Sequence, residues 1–303
     1  MTRSSMRNTS RRDLHLAPEQ DIYQALTTEQ DKARTNVHYE QPARFFTAFT
    51  GGEWNTYSCN LWDKATTVTE SQEAKLDLLA RYMELTPGMR IMDVGCGWGG
   101  PLTYLCKTFG ARGVGLTLSS KQAQYARDRI ARHGVEAQVV ECHWRDYRDT
   151  ESFDAIYTDE VIVHFHDLAE FFSRCHSLLG PAGRMVNKEL HFTHPTYARL
   201  TRATYLIQEI YGHTGNYRTL SEELNLLYGA GFEAEHVHGI SHWHYGMTMK
   251  HWLSSMHQHR DELSRLVGRD FYLKFRKYLK VAAMWVTSRT CSTDIVVAQK
   301  LPA

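Results

Sequence analysis

The chain alternates short apolar runs with longer stretches whose apolar residues recur at helical spacing, and that alternation predicts its elements. Over 71–84, Ala74, Leu78, Leu79 and Tyr82 share one helical face, and Thr86-Pro87-Gly88 ends the pattern. Arg90-Ile91-Met92-Asp93-Val94 is an apolar run of strand length closed by Gly95. A helical pattern over 101–109 and a second run, Gly113-Val114-Gly115-Leu116, complete a β-α-β unit. The alternation continues through a helix over 121–133, strands over 135–142 and 153–158, a helix over 168–179 and a strand over 183–190. Helical stretches over 197–211, 220–230, 248–267 and 270–287 follow, with a last strand over 293–298. The series predicts an α/β fold with a doubly wound, Rossmann-like, mostly parallel sheet. Its ligands should sit beyond the carboxyl ends of the strands, just after Val94, Leu116, Cys142 and Thr158.

Residues 18–62 are polar and aromatic by turns, with short helices expected over 21–28 and 42–49, and read as a lid. The resulting organisation is a disordered leader over 1–17, a helical N-terminal cap over 18–70, and a ligand-binding domain over 71–303 with a helical insertion at about 195–230. The leader carries Arg3, Arg7, Arg11 and Arg12 among Ser, Thr and Asn and has little to bury; a transit peptide is the alternative reading. With 303 residues the chain can bury a substantial core. Lys+Arg 35 against Asp+Glu 34 leaves no overall field that would hold nucleic acid or an anionic membrane, so the partner belongs in a pocket. No apolar run approaches the roughly 20 residues needed to span a bilayer. Six cysteines without a repeated spacing fit reduced thiols in a cytoplasmic protein, and a homo-oligomer is compatible with the composition.

Asp93-Val94-Gly95-Cys96-Gly97-Trp98-Gly99-Gly100 follows a strand and opens a helix, placing glycines where a backbone must approach a ligand closely. A phosphate loop would need Gly-Lys-Ser/Thr at its end, which is missing, and the dinucleotide spacing Gly-x-Gly-x-x-Gly fits poorly. The turn resembles motif I of class I S-adenosylmethionine-dependent methyltransferases. Gly115-Leu116-Thr117-Leu118-Ser119-Ser120-Lys121-Gln122 resembles the Gly-x-Thr-Leu-Ser-x-x-Gln signature of the cyclopropane fatty acid synthase and mycolic acid methyltransferase family. Thr56-Tyr57-Ser58-Cys59 is similar to that family's Tyr-Ser-Cys segment, Gln72-Glu73-Ala74-Lys75 with Pro87-Gly88-Met89 to its run into motif I, and His244-Tyr245 with Thr248 and Trp252 to its late helix start. The likeness runs from about Val37 to the C-terminus.

The resemblance implies S-adenosylmethionine as cofactor, held by Tyr57 and Ser58 from the cap, Asp93, Gly95 and Gly97 at the turn, Thr117, Leu118 and Gln122 after the second strand, and Trp144 with Arg145 near the adenine. Thr117 and Gln122 can hydrogen-bond a ribose or carboxylate, and Trp144 can cover a purine, although a core tryptophan is the plainer reading. Relatives carry Glu or Gln where this chain has Arg145, so Asp146 is an alternative partner for the adenine amine.

The resemblance also implies methyl transfer to an alkene carbon, a carbocation, and removal of a proton. In the cyclopropane synthases a bound bicarbonate serves that step, held by a Cys, a Glu, a His and a Tyr. Cys59 and Tyr245 match two of these, whereas the Glu falls on Val163 and the His on Lys188. Glu160 lies three residues before Val163 and can reach the same space, which makes it the expected general base, with His164 beside it; a Glu pairing at a helix start is the plainer alternative. Tyr39, Lys188, Arg199, Arg202 and Tyr205 are the expected substrate contacts. Lys188 favours an anionic substrate group or a structural ion pair with Glu160 or Glu189, and Arg199 with Arg202 forms either a diphosphate-binding face or a solvated one.

The expected activity is therefore C-methylation of a hydrophobic small molecule, with a prenyl diphosphate or other specialised metabolite in view and magnesium only if a diphosphate brings it. A cyclopropane-forming or methyl-branching enzyme of unsaturated acyl lipids is the alternative, followed by an O- or N-methyltransferase and a non-catalytic binding protein. No resident metal is expected: His236, His238, His242 and His244 lack a completing ligand, and Asp159, His164, His166 and Asp167 are the better place for such an ion or for a proton relay.

Overall fold

The computed structural model describes residues 26–39, 41–198, 210 and 215–302. Helices α1 (Thr28–Tyr39) and α2 (Ala43–Thr50) lie in the segment expected as the cap, and α3 (Val68–Tyr82) leads into the sheet. Then follow β1 (Arg90–Val94), α4 (Gly100–Phe109), β2 (Arg112–Thr117), α5 (Ser120–His133), β3 (Ala137–Glu141), β4 (Phe153–Asp159), a 3-10 turn (Ile162–His164), α6 (Leu168–Leu178) and β5 (Leu179–Phe192). The chain ends with α7 (Pro195–Ala198), α8 (Leu220–Gly229), β6 (Phe232–Ile240), α9 (His242–Gln258), α10 (Arg260–Val267), α11 (Arg269–Thr287) and β7 (Cys291–Lys300).

The strands order as β3-β2-β1-β4-β5-β7-β6, parallel as far as β5, with β7 running antiparallel between β5 and β6. This is the Rossmann-like sheet that the periodicity predicts. Side chains alternate between two cores across it: Ile91, Val186, Ile295 and Val297 enter one, Met92, Met185, Val296 and Ala298 the other. β1 sits mid-sheet and is buried at every position. Thr67 and Glu70 form a capping box that starts α3. The cap joins the first core through aromatic edges, Phe45 against Phe275 at 5.0 Å and Phe49 against Trp252 at 5.7 Å, pairs worth about 0.5–1.5 kcal/mol each.

Three expectations change. The strand expected over 183–190 runs over 179–192, because β7 pairs with it from Arg184↔Gln299 to Phe192↔Cys291. β6 was not among the predicted elements: it is an edge strand whose largely solvated face leaves no apolar run to detect. The stretch expected as one helix over 248–267 begins at His242, directly after the Ser241 cap, and breaks into α9 and α10 at His259. His242 and His244 therefore lie on a helix, apart from the strand that carries His236 and His238. The expected leader, residues 21–25 of the helix expected over 21–28, and most of the helix over 197–211, with Arg199, Arg202 and Tyr205, fall outside the described residues; residues 26–27 are not helical, and a helix starts at Thr28.

Candidate active site

The glycine turn leaves β1 at Val94 and is tied to β2 by the Gly95 and Cys96 N–H groups, both donating to the Leu116 carbonyl at 2.9 Å. Gly95 has φ +85°, and a Cβ there would stand 2.6 Å from Val161, so only glycine suits the position. Beside it Asp93 is buried and accepts from the Tyr157 hydroxyl at 2.7 Å; burial pushes its carboxyl up to about 7. At the end of β2 the Thr117 hydroxyl donates to Gln122 Oε1 at 2.7 Å, and Ser119 caps α5 through the Gln122 N–H.

Three adjoining cavities open at this end of the sheet. The first is lined by Gly95, Gly97, Thr117, Leu118, Gln122 and Trp144, and is roofed by Thr35 and Tyr39 of α1. The second carries Tyr57, Ser58, Asp93, Asp159 and Glu160 beside the same glycines. The third is lined by Tyr39, Tyr57, Glu160, Val163, His164, Glu189, Tyr217, Tyr245, Met249, Trp252 and Tyr278. Trp144 is buried with its indole N–H unpartnered. Arg145 lies away from the lining: its guanidinium sits 4.8 Å from the Trp144 ring and donates to Glu170 at 2.6 Å and to the Leu26 carbonyl at 3.3 Å.

Glu160 stands where the second and third cavities meet. Its φ of +59° is uncommon for a non-glycine residue and turns the chain sharply at the end of β4. Its N–H donates to the Lys188 carbonyl at 2.6 Å, while Oε1 accepts from the Cys59 N–H at 2.8 Å and from Lys188 Nζ at 2.5 Å. Lys188 is fully buried and also reaches Asp159 Oδ1 at 2.9 Å. Asp159 Oδ2 accepts from Lys75 Nζ and Ser58 Oγ, each at 2.6 Å. Burial works against both charges, yet the two ammonium groups hold Asp159 below the usual carboxylate range, and the two carboxylates hold Lys188 above the usual lysine range. Of the two pairings weighed from sequence for Lys188, the one with Glu160 forms, and Asp159 is its second partner.

Cys59 meets Glu160 through its backbone; burial pushes its thiol up to about 12, so it is no thiolate at neutral pH. Burial holds His164 down at about 4, hence neutral. Tyr245 is a buried neutral phenol in the third cavity. Sequence reasoning treated Glu189 only as a pairing option, but it is a wall of the third cavity, accepting from the Val163 N–H at 3.1 Å and its neighbour Leu190 N–H at 2.8 Å; burial pushes it up to about 8. Also missed were Asp31, which ties α1 down by accepting from His143 at 3.1 Å, and Lys32, which pairs with Glu141 at 2.9 Å. Acidic and basic residues on a short polar helix carry no signal of which loop they will meet. Among the described residues no group of three or more His, Cys, Asp or Glu could hold a metal ion, and no helix is long and apolar enough to cross a membrane.

The family model described as mycolic acid cyclopropane synthetase matches residues 26–295. The chain belongs to that family. It is 29% identical over 268 residues to cyclopropane mycolic acid synthase 2 of Mycobacterium leprae, covering 80% of this chain and 85% of that one. Hydroxymycolate synthase MmaA4 of Mycobacterium tuberculosis is 27% identical over 282 residues, 87% of this chain and 91% of its own. Among solved structures, mycolic acid cyclopropane synthase CmaA1 complexed with S-adenosylhomocysteine and CTAB superposes with a TM-score of 0.83 at 26% identity, covering 89% of this chain and 98% of that chain. This member of the mycolic acid cyclopropane synthetase family is thus an S-adenosylmethionine-dependent methyltransferase. The first two cavities fit that cofactor chemically: an indole-walled slot for a purine, hydroxyl and amide groups for a ribose, a glycine turn, and acidic and aromatic side chains for a sulfonium.

Proposed function

We propose that the protein methylates an alkene carbon within a hydrophobic chain, with unsaturated acyl lipids as the first substrate class, and that Glu160 removes the proton that ends the reaction. The observation that carries this reading is the position of Glu160, a carboxylate shared by the cofactor-side cavity and the aromatic third cavity. S-adenosylmethionine supplies an electrophilic methyl group on a positively charged sulfur. Gly95, Gly97 and Asp93 would hold its amino-acid end, Thr117 and Gln122 its ribose, and Leu118 with Trp144 its adenine. Tyr57 and Ser58 close the cap side, and Tyr39, shared by all three cavities, roofs the methyl path.

Attack by the alkene on that methyl would form a carbon–carbon bond as the methyl–sulfur bond breaks, releasing S-adenosylhomocysteine and leaving a positive charge on the neighbouring carbon of the acceptor. The faces of Tyr57, Tyr245 and Trp252 shelter such a cation. Glu160 then takes one proton: loss from the new methyl closes a three-membered ring, and loss from an adjacent carbon restores an alkene. The prenyl diphosphate reading loses the anchor it drew from Lys188, whose ammonium is engaged by Asp159 and Glu160. The names of the relatives, all mycolic acid enzymes, point the same way.

The test is incubation with methyl-labelled S-adenosylmethionine and monounsaturated phospholipid vesicles, alongside a panel of prenyl diphosphates. Label in the lipid extract, with a gain of one CH2 per modified chain, is the expected result. Label confined to the prenyl fraction would overturn the acyl-lipid assignment, and label on oxygen or nitrogen would overturn carbon methylation.

A further inference from the structure

The buried charges around Glu160 form a balanced set of two ammonium groups, Lys75 and Lys188, and two carboxylates, Asp159 and Glu160. They come from α3, β4, the turn after β4, and β5. The set is not symmetrical. Asp159 takes three side-chain donors, is held to the cap by Ser58, and lines the second cavity but not the third. Glu160 shares one cation with it, uses Oε1 for both Lys188 and the Cys59 N–H, and lines the acceptor cavity. One ammonium therefore both neutralises the proposed base and pins one of its oxygens.

We infer that Lys188 is a positioning residue for the reaction: through its ion pair it holds the Glu160 carboxylate in one orientation toward the acceptor cavity. This rests on the reading of Glu160 as the base. The physical argument is the cost of an unpaired carboxylate in a desolvated, aromatic-walled space, which a single contacting cation offsets. Among the described residues, no other cation touches the Glu160 carboxylate. Asp159 opposes it; Glu189, pushed up by burial to about 8, brings no positive charge; Tyr39, Tyr217 and Tyr245 are neutral phenols; and His164 is neutral. Cys59 offers only a backbone N–H, Asp93 is a carboxyl across the cofactor-side cavity, and Lys75 reaches Asp159 rather than Glu160. Glu160 is itself held at φ +59° by its N–H bond to the carbonyl of Lys188, so the same residue fixes its backbone and its carboxylate.

The inference is tested on the full chain with glutamate labelled by ¹³C at the side-chain carboxyl, the Glu160 signal being the one absent from Glu160→Gln. In Lys188→Gln the titration midpoint of that signal is expected to move up by about one to three pH units relative to wild type, the usual effect of losing an adjacent opposite charge. In Lys188→Arg it is expected to stay near wild type. A midpoint unmoved in Lys188→Gln would overturn the inference. Removing one partner of a buried pair can prevent folding, so Lys188→Gln combined with Asp159→Asn is read as well, since it leaves Lys75 and Glu160 in balance. A midpoint above that of Asp159→Asn alone supports the inference, and one equal to or below it overturns the inference. Turnover of Glu160→Gln separates the two ideas. An inactive Glu160→Gln with an unmoved signal removes Lys188's role alone, and a fully active Glu160→Gln removes the base.

Discussion

At the scale of single residues, the chemistry depends on which atoms a side chain leaves available once the fold is made. Glu160 presents a carboxylate to the acceptor cavity, so Glu160→Gln should cut methyl transfer by about 10²- to 10⁴-fold, the usual range for a general base, with S-adenosylmethionine binding intact by calorimetry. Cys59 presents only its backbone N–H to Glu160, and its thiol is buried and protonated. Cys59→Ala should therefore keep turnover within a few-fold of wild type. A loss of two orders of magnitude in initial rate would return the thiol to the mechanism.

At the scale of elements, the site is made by two turns and a lid. The turn at Gly95 combines φ +85° with a Val161 side chain 2.6 Å from where a Cβ would stand. Gly95→Ala should both lower the melting temperature and weaken S-adenosylmethionine binding by more than tenfold in calorimetry. The lid is α1, whose Thr35 and Tyr39 roof the first cavity and whose Asp31 is anchored by His143 on the loop after β3. Asp31→Ala should loosen that roof without touching the lining. The expected outcome is faster cofactor release in stopped-flow measurements, with little change in turnover at saturating cofactor.

At the scale of the whole molecule, buried ionisable groups away from the site link stability to pH. His191 is clamped between Glu223 at 2.6 Å and Asp294 at 3.1 Å, which join β5 to α8 and β7. Burial opposes its charge, but the two carboxylates win and raise it from 6.5 to about 10. A folded-state value above the unfolded one means that the stabilisation is fully present below pH 6.5 and is lost as pH rises toward 10. Glu189, raised to about 8, adds a loss of the same sign between its unfolded value and pH 8. The melting temperature should thus fall steadily from pH 7 to pH 10, and more gently in Glu223→Gln, which removes one of the charges holding the His191 proton. A flat profile in wild type would show that His191 titrates alike in both states.

The sequence alone determined what is local and periodic. The parallel β-α-β series, the glycine turn, and Thr117 with Gln122 on the first turn of a helix are set by residues within a few positions of one another, so spacing reveals them. The motifs that place the chain in its family are of this kind. Edge strand β6 was hidden because an edge solvates its side chains and leaves no apolar run. Only the tertiary structure decided the fate of Lys188, which the sequence left between a substrate anion and an ion pair. Lys75 and Asp159 are 84 residues apart, and Cys59 and Glu160 are 101 apart. Charges so distant along the chain meet because the sheet order places β5 beside β4, while α3 and the Ser58–Cys59 segment reach the end of β4, and burial then forces each charge to find a partner. Which partner it finds is a property of the assembled core, and no local pattern records it.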